Sequence, residues 1–238
     1  MTSDSVTPEV QASCRPIAPA WHTVVLLIAF LGLSLLSARS HSLAPLTGGH
    51  GRVASYLAVM CFEWLLVAFI WWGIRLRNLR LGDLVGGSWF KLQHVLRDLG
   101  IAVLFLIAAN LLLGLMGYLL KSSPNQAVRE IFPHGGLEIA IYLLLTLTAG
   151  ICEEIIFRGY LQRQFAALTR NALAGLVLQG VAFGLAHGYQ GAKLVLMISV
   201  FGCTFGLLAA WRRSLRPGMV AHFVQDAVFG LLGSHFVR

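Results

Sequence analysis

The sequence predicts an all-α fold, a polytopic transmembrane bundle of about seven helices forming one membrane domain. Three observations predict it. Of 238 residues, 57% are hydrophobic and 12% charged, whereas soluble domains carry roughly 25% charged residues. Several apolar runs approach the ~20 residues needed to cross a bilayer as a helix. Those runs are continuous rather than alternating, which is the pattern of a spanning helix and not of a barrel strand. A mean hydropathy of +0.75 excludes an ordinary soluble domain.

The elements follow in order. Residues 1–20 are polar, contain Pro8, Pro16 and Pro19, and read as a flexible cytosolic tail. Residues 21–136 hold the first three membrane helices. Trp21 to Ala38 is the first, read as a retained helix because Ser37-Ala38-Arg39 is a poor cleavage context. Val53 to Ile74 is the second, with interfacial Trp71-Trp72 and a lone acid, Glu63. The basic stretch from Arg75 to Gly100 mixes Trp89, Phe90 and Leu92 with Lys91 and Arg97, which suits a segment along the membrane surface. Ile101 to Leu120 is the third helix. Residues 137–238 hold the last four: Leu137 to about Phe157, running on toward Gln162; a helix capped by Asn171 and ending at His187; Lys193 to Trp211; and Gly218 to Phe236. Gly202 and Gly206 have the spacing of close helix packing.

The net charge of +8 does not call for nucleic acid, because the basic residues concentrate in loops. With a cytosolic N-terminus, twelve of the 18 basic residues fall inside and six outside. That bias predicts a multi-pass protein of a bacterial inner membrane with the N-terminus in the cytosol. Cys14, Cys61, Cys152 and Cys203 stand singly and form neither a disulfide framework nor a zinc knuckle.

The informative residues are the polar ones inside apolar segments. Glu153-Glu154-Ile155-Ile156-Phe157-Arg158 ends a run that is otherwise apolar from Leu137 apart from Glu138. A charge at the bilayer centre costs at least ~2.5 kcal/mol and marks a functional site by default. On a helix Glu154 and Arg158 share a face and form an ion pair, while Glu153 points about 100° away. Phe183 and His187 close the fifth segment, and His222 and Asp226, four apart, share a face in the seventh. A carboxylate that takes a proton from water, with imidazoles that bind a metal or polarise a carbonyl, is the equipment for activating water. The same acids and histidines could also relay protons, so a non-proteolytic transporter or an immunity scaffold is the alternative. His22, His41, His50, His94, His134 and His235 receive no role, and Glu63 and Glu138 read as packing or interface charges.

Glu153-Glu154-x-x-x-Arg158, Phe183-x-x-x-His187 and His222-x-x-x-Asp226, in this order, resemble the CPBP family of intramembrane proteases, which includes the type II CAAX prenyl endopeptidases and bacteriocin-immunity proteins. The resemblance covers roughly the C-terminal half. It implies an intramembrane endopeptidase acting on a membrane-associated protein or peptide in the lipid bilayer. It implies that Glu153 and His187 activate the attacking water, and that Glu154, Arg158 and Phe183 support the site. His222 and Asp226 would stabilise the oxyanion, or join His187 in holding a divalent metal such as zinc. Prenyl-protein members usually have Asn at the position of Asp226. Asn donates an amide proton to an oxyanion and an ionised Asp does not, so Asp226 is protonated, orients His222, or favours a cation. A glutamate-dependent and a metal-dependent hydrolase both fit the motifs.

Depth gives one agreement and one conflict. Glu153 and His187 are each 17 residues from Arg170 (170 − 153, 187 − 170), so a hairpin turning there puts them level, about 25 Å of helix rise from the turn. His222 lies five residues past Pro217 (222 − 217), roughly 8 Å on the same rise. Straight spans therefore predict that His222 falls short of His187.

Overall fold

The structure is a computed structural model that describes residues 15–40, 51–122 and 126–236. Most of the predicted tail, residues 1–14, lies outside the described residues. Among the described residues the α-helices are α1 (Ala20–Ser40), α2 (Arg52–Arg75), α3 (Leu81–Val85), α4 (Leu92–Leu120), α5 (Gln126–Ile131), α6 (Gly136–Glu153), α7 (Gln162–Thr169), α8 (Ala172–Ala186), α9 (Ala192–Arg212) and α10 (Arg216–Phe236). A π-helical segment, Glu154–Leu161, joins α6 to α7 without a break. The described residues contain no strand beyond an isolated bridge between Gly86 and Ser214.

Five of these stretches are long and apolar enough to cross a membrane: α1, α2, α4, the continuous rod Gly136–Thr169, and α9. The fifth predicted span is α8, an apolar helix of 15 residues. The seventh is α10, 21 residues long and more polar. The architecture is an all-α polytopic bundle.

Local chemistry explains the boundaries. Asn171 caps α8 as its sequence predicts, its side chain accepting from the Ala174 amide at 3.0 Å. Arg170 and Arg213 adopt left-handed backbone and end α7 and α9. Pro217 follows the first residue of α10, where its missing N–H costs nothing. Gly202 lets α9 approach α8 closely: a Cβ there would sit 3.0 Å from Phe183 and 3.1 Å from the Gly180 Cα.

Two boundaries differ from expectation. The helix of the third span begins at Leu92, nine residues before Ile101, so part of the stretch read as lying along the surface is continuous with that helix. The helix can start there because buried Asp98 is satisfied by Trp89 Nε1 at 2.9 Å, Arg97 at 3.0 Å and Arg212 at 3.2 Å. The end of the predicted tail is also held. The amides of Ile17 and Ala18 donate to Gln164 Oε1 at 2.9 and 3.2 Å, and Gln164 Nε2 donates back to the Ala18 carbonyl at 2.9 Å.

His22, assigned no role from sequence, is a bundle clamp. Its Nε2–H donates to the Phe69 carbonyl at 2.9 Å, so Nδ1 accepts from the Tyr160 hydroxyl at 2.8 Å. This ties α1 and α2 to the π segment, every residue of which is buried.

Candidate functional site

The rod formed by α6, the π segment and α7 carries the first motif at its widest point. Glu154 is fully buried, and its Oε1 lies 3.0 Å from Arg158 Nη1, the i,i+4 pair read from sequence. The guanidinium sits over the rings of Phe183 and Phe205, 4.4 and 5.0 Å from their centroids. It also donates to the Gly202 carbonyl at 3.3 Å. An isolated buried arginine would be prohibitive, but a carboxylate, two π faces and a carbonyl together solvate it.

The sequence did not predict that Glu154 also holds a histidine. His222 Nδ1–H donates to the same Glu154 Oε1 at 3.0 Å. The other ring nitrogen, Nε2, stands 3.5 Å from Glu153 Oε2 and 3.5 Å from Asp226 Oδ2. His222 is therefore bracketed by all three acids of the motifs. The expected ion pair is present, and the same carboxylate also bridges to His222.

The depth conflict disappears, and its premise of straight, level spans is corrected. The start of α10 does not lie beside Arg170. Leu215 packs beside Gly159, where a Cβ would come within 3.1 Å of Leu215 and 3.3 Å of Leu84. The Leu215 amide donates to the Val85 carbonyl at 2.8 Å. The short helix α3 and its loop thus seat the beginning of α10 six residues from Glu153 (159 − 153) rather than 17. From there α10 runs antiparallel to α6. Gly150 faces the Met219 carbonyl and the Phe223 amide, and Tyr142 donates to the Asp226 carbonyl at 3.0 Å. At Gly218 a Cβ would meet Glu154 Oε2 at 2.9 Å, so the missing side chain makes room for that carboxylate.

His187 terminates α8 on the other side of Phe183, half-buried. Its Nδ1–H donates to the Phe183 carbonyl at 2.9 Å, which leaves Nε2 with its lone pair. The Phe183 ring separates the two histidines, its centroid 4.9 Å from His187 and 5.9 Å from His222. The loop after His187 is pinned to α1 through Ser34, which accepts from the Gly188 amide at 3.1 Å and donates to the Leu185 carbonyl at 2.6 Å.

A cavity of about 170 Å³ opens beside this cluster, and Glu153 and His187 line it together with Ser34, Tyr56, Glu63 and Tyr189. That is room for several waters. Glu153 Oε2 is buried with no hydrogen-bond partner. Glu153 is thus the residue common to the histidine–carboxylate cluster and the cavity.

Among the remaining acids, Glu138 sits in the first turn of α6. It accepts from the His134 amide at 2.7 Å and lies 3.9 Å from Arg52. Glu63 is buried on the cavity wall with Oε2 unpartnered. Only its position inside an apolar run could have flagged it. Among the described residues, no group of three or more His, Cys, Asp or Glu side chains is arranged to hold a metal ion. His187, His222 and Asp226 are accordingly not gathered as a ligand set, and no step below is routed through a metal.

Comparison with known proteins agrees with the motifs. Residues 135–228 match the family described as type II CAAX prenyl endopeptidase Rce1-like, a stretch that contains all three motifs. An uncharacterized protein of Bacillus subtilis (strain 168), YpbD, is 32% identical over 120 residues, which covers 44% of this chain. The chain spans 59% of the length of that relative. No solved structure matches.

Proposed function

We propose that the protein is an intramembrane endopeptidase that hydrolyses a peptide bond of a membrane-associated protein or peptide. The observation that carries this reading is Glu153. Its buried, unpartnered carboxylate oxygen lies 3.5 Å from His222 Nε2, and the side chain lines a cavity shared with His187. The match of residues 135–228 to a prenyl endopeptidase family supports it.

In this mechanism Glu153 is the general base. Water in the cavity is held between Glu153 and His187 Nε2, whose lone pair is kept free by the bond from Nδ1–H to Phe183. Glu153 takes a proton as the water oxygen attacks the scissile carbonyl. His222, held among the carboxylates of Glu153, Glu154 and Asp226, acts as the imidazolium, with Nδ1–H on Glu154 and Nε2–H presented to the developing oxyanion. Glu154 fixes the orientation of that ring, and Arg158 neutralises Glu154. Asp226, at 3.5 Å, holds His222 from its own helix, the orienting option among those open from sequence. The basic bias of the alternate loops supports a cytosolic N-terminus.

The test compares the protein termini of cells carrying wild type and Glu153→Gln at equal abundance. Specific new termini present with wild type and missing with the variant name the substrates. Identical terminal peptides from the two strains, with the protein expressed and folded, refute the assignment.

A further inference from the structure

The cavity has a second acid for which the three motifs have no use. Glu63 lies on α2, outside the residues matched to the endopeptidase family. It is 6% exposed, its Oε2 has no hydrogen-bond partner, and no cation among the described residues pairs with it. The titratable groups around it are Glu153, His187, Tyr56 and Tyr189 on the cavity wall, with Asp226 and Cys152 beyond. None of these is a permanent cation. A buried carboxyl with no cation beside it is far cheaper neutral than ionised, and a neutral carboxyl has an O–H to give.

Its depth is also right. Helices α2 and α6 run parallel, with Tyr56 edge-on to Tyr142 at 5.6 Å. Glu63 is seven residues on from Tyr56 (63 − 56), about 10 Å of rise, and Glu153 is 11 on from Tyr142 (153 − 142), about 16 Å. The two acids thus face one cavity within about one helical turn of each other.

We propose that Glu63 is the proton donor of this cavity, delivering to the departing amine the proton that the reaction requires. The inference rests on the reading of Glu153 as general base. Water gives a proton to Glu153 as its oxygen forms the C–O bond, and the carbonyl π pair moves onto oxygen. On collapse that pair re-forms the C=O bond. The C–N bond breaks with its electrons going to nitrogen, and nitrogen takes the Glu63 proton. The proton on Glu153 returns to Glu63 through cavity water. One water and one peptide bond are consumed, and both acids are restored.

Leaving-group dependence tests this. The probe is the peptide named by the missing termini, truncated at the scissile residue and prepared as an amide and as a p-nitrophenyl ester. The ester's leaving group departs without a proton. Glu63→Gln should lower kcat on the amide by at least ~100-fold with KM held, and leave the ester within about threefold of wild type. Glu63→Leu should reproduce the split if the Gln variant folds poorly. Equal loss on both probes, or loss on neither, overturns the proposal. Failure of the Glu153 reading looks different: Glu153→Gln would then cleave both probes. Infrared spectra of the protein in lipid vesicles give an activity-free readout. The carboxylic-acid C=O stretch should lose a component in Glu63→Gln and keep it in Glu153→Gln. An unchanged band in Glu63→Gln overturns the proposal.

Discussion

Asp98 and Glu153 are both carboxylates sunk in an apolar helical bundle, yet their surroundings are opposite. Asp98, 1% exposed, is saturated: the Trp89 indole, Arg97 and Arg212 all donate to it. That cluster joins the start of α4 to the end of α9 and leaves no oxygen idle. Glu153 has an unpartnered oxygen, a cavity beside it and a histidine just beyond hydrogen-bond distance. Burial of charge by itself therefore says little. Under the proposed function, an unsatisfied acceptor beside open space is what sets Glu153 apart from Asp98, since a buried polar atom without a partner calls for a reason.

The sharpest way to break the comparison is to remove the acid function of Glu153. Glu153→Gln should lower turnover by ~100- to 10,000-fold, the range for a general base, with thermal unfolding close to wild type. A folded variant with wild-type turnover would make Glu153 equivalent to Asp98. The next largest effect is on stability. Arg158→Met removes one of the two partners of the buried Glu154, leaving His222 alone beside it, and should cost about 3–5 kcal/mol, the cost of breaking a buried pair. It should be read as loss of folded protein in denaturant titration, with His222 and turnover lost alongside.

Asp98→Asn removes charge from a saturated structural site. The amide keeps one acceptor oxygen for the two arginines at Oδ1 and turns an NH2 toward the Trp89 indole N–H at the Oδ2 position, so the expected cost is about 1–3 kcal/mol, with kcat per folded molecule unchanged. A fall in kcat at full folding would show that the comparison is false. Gly218→Ala is subtler. Its new methyl would press on Glu154 Oε2 at 2.9 Å, tilting the carboxylate that orients His222. A fall in kcat of about tenfold with little change in KM is expected, since small displacements near a reacting centre cost this order. The smallest effect belongs to Asn110→Leu. Asn110 and Gln225 exchange two amide hydrogen bonds between α4 and α10 at 2.7 and 3.2 Å. Such pairs within membranes average ~0.6 kcal/mol, a small shift in unfolding midpoint.

Much of this molecule is legible without coordinates. Long apolar runs commit the chain to helices because lipid offers the backbone no other partner. The spacing Glu154–Arg158, the Asn171 cap, the turn at Arg170 and the tight approach at Gly202 are local facts of helix geometry, and each appears where the sequence places it. The three motifs, with Glu153, His187 and His222, could be singled out because ionisable residues are costly in such surroundings.

Only the tertiary structure decided how these parts meet. A straight-span reading leaves His222 short of the site, because rise per residue says nothing about where a helix begins. The loop around α3 seats Leu215 beside Gly159 and so delivers His222 to Glu153 and Glu154. The double use of Glu154, the pinning of residues 17 and 18, and the exposure of Glu63 to the cavity have the same origin. They depend on which faces of distant helices pack together. In an apolar bundle almost every face is equally willing to pack, so one-dimensional pattern carries little information about the choice.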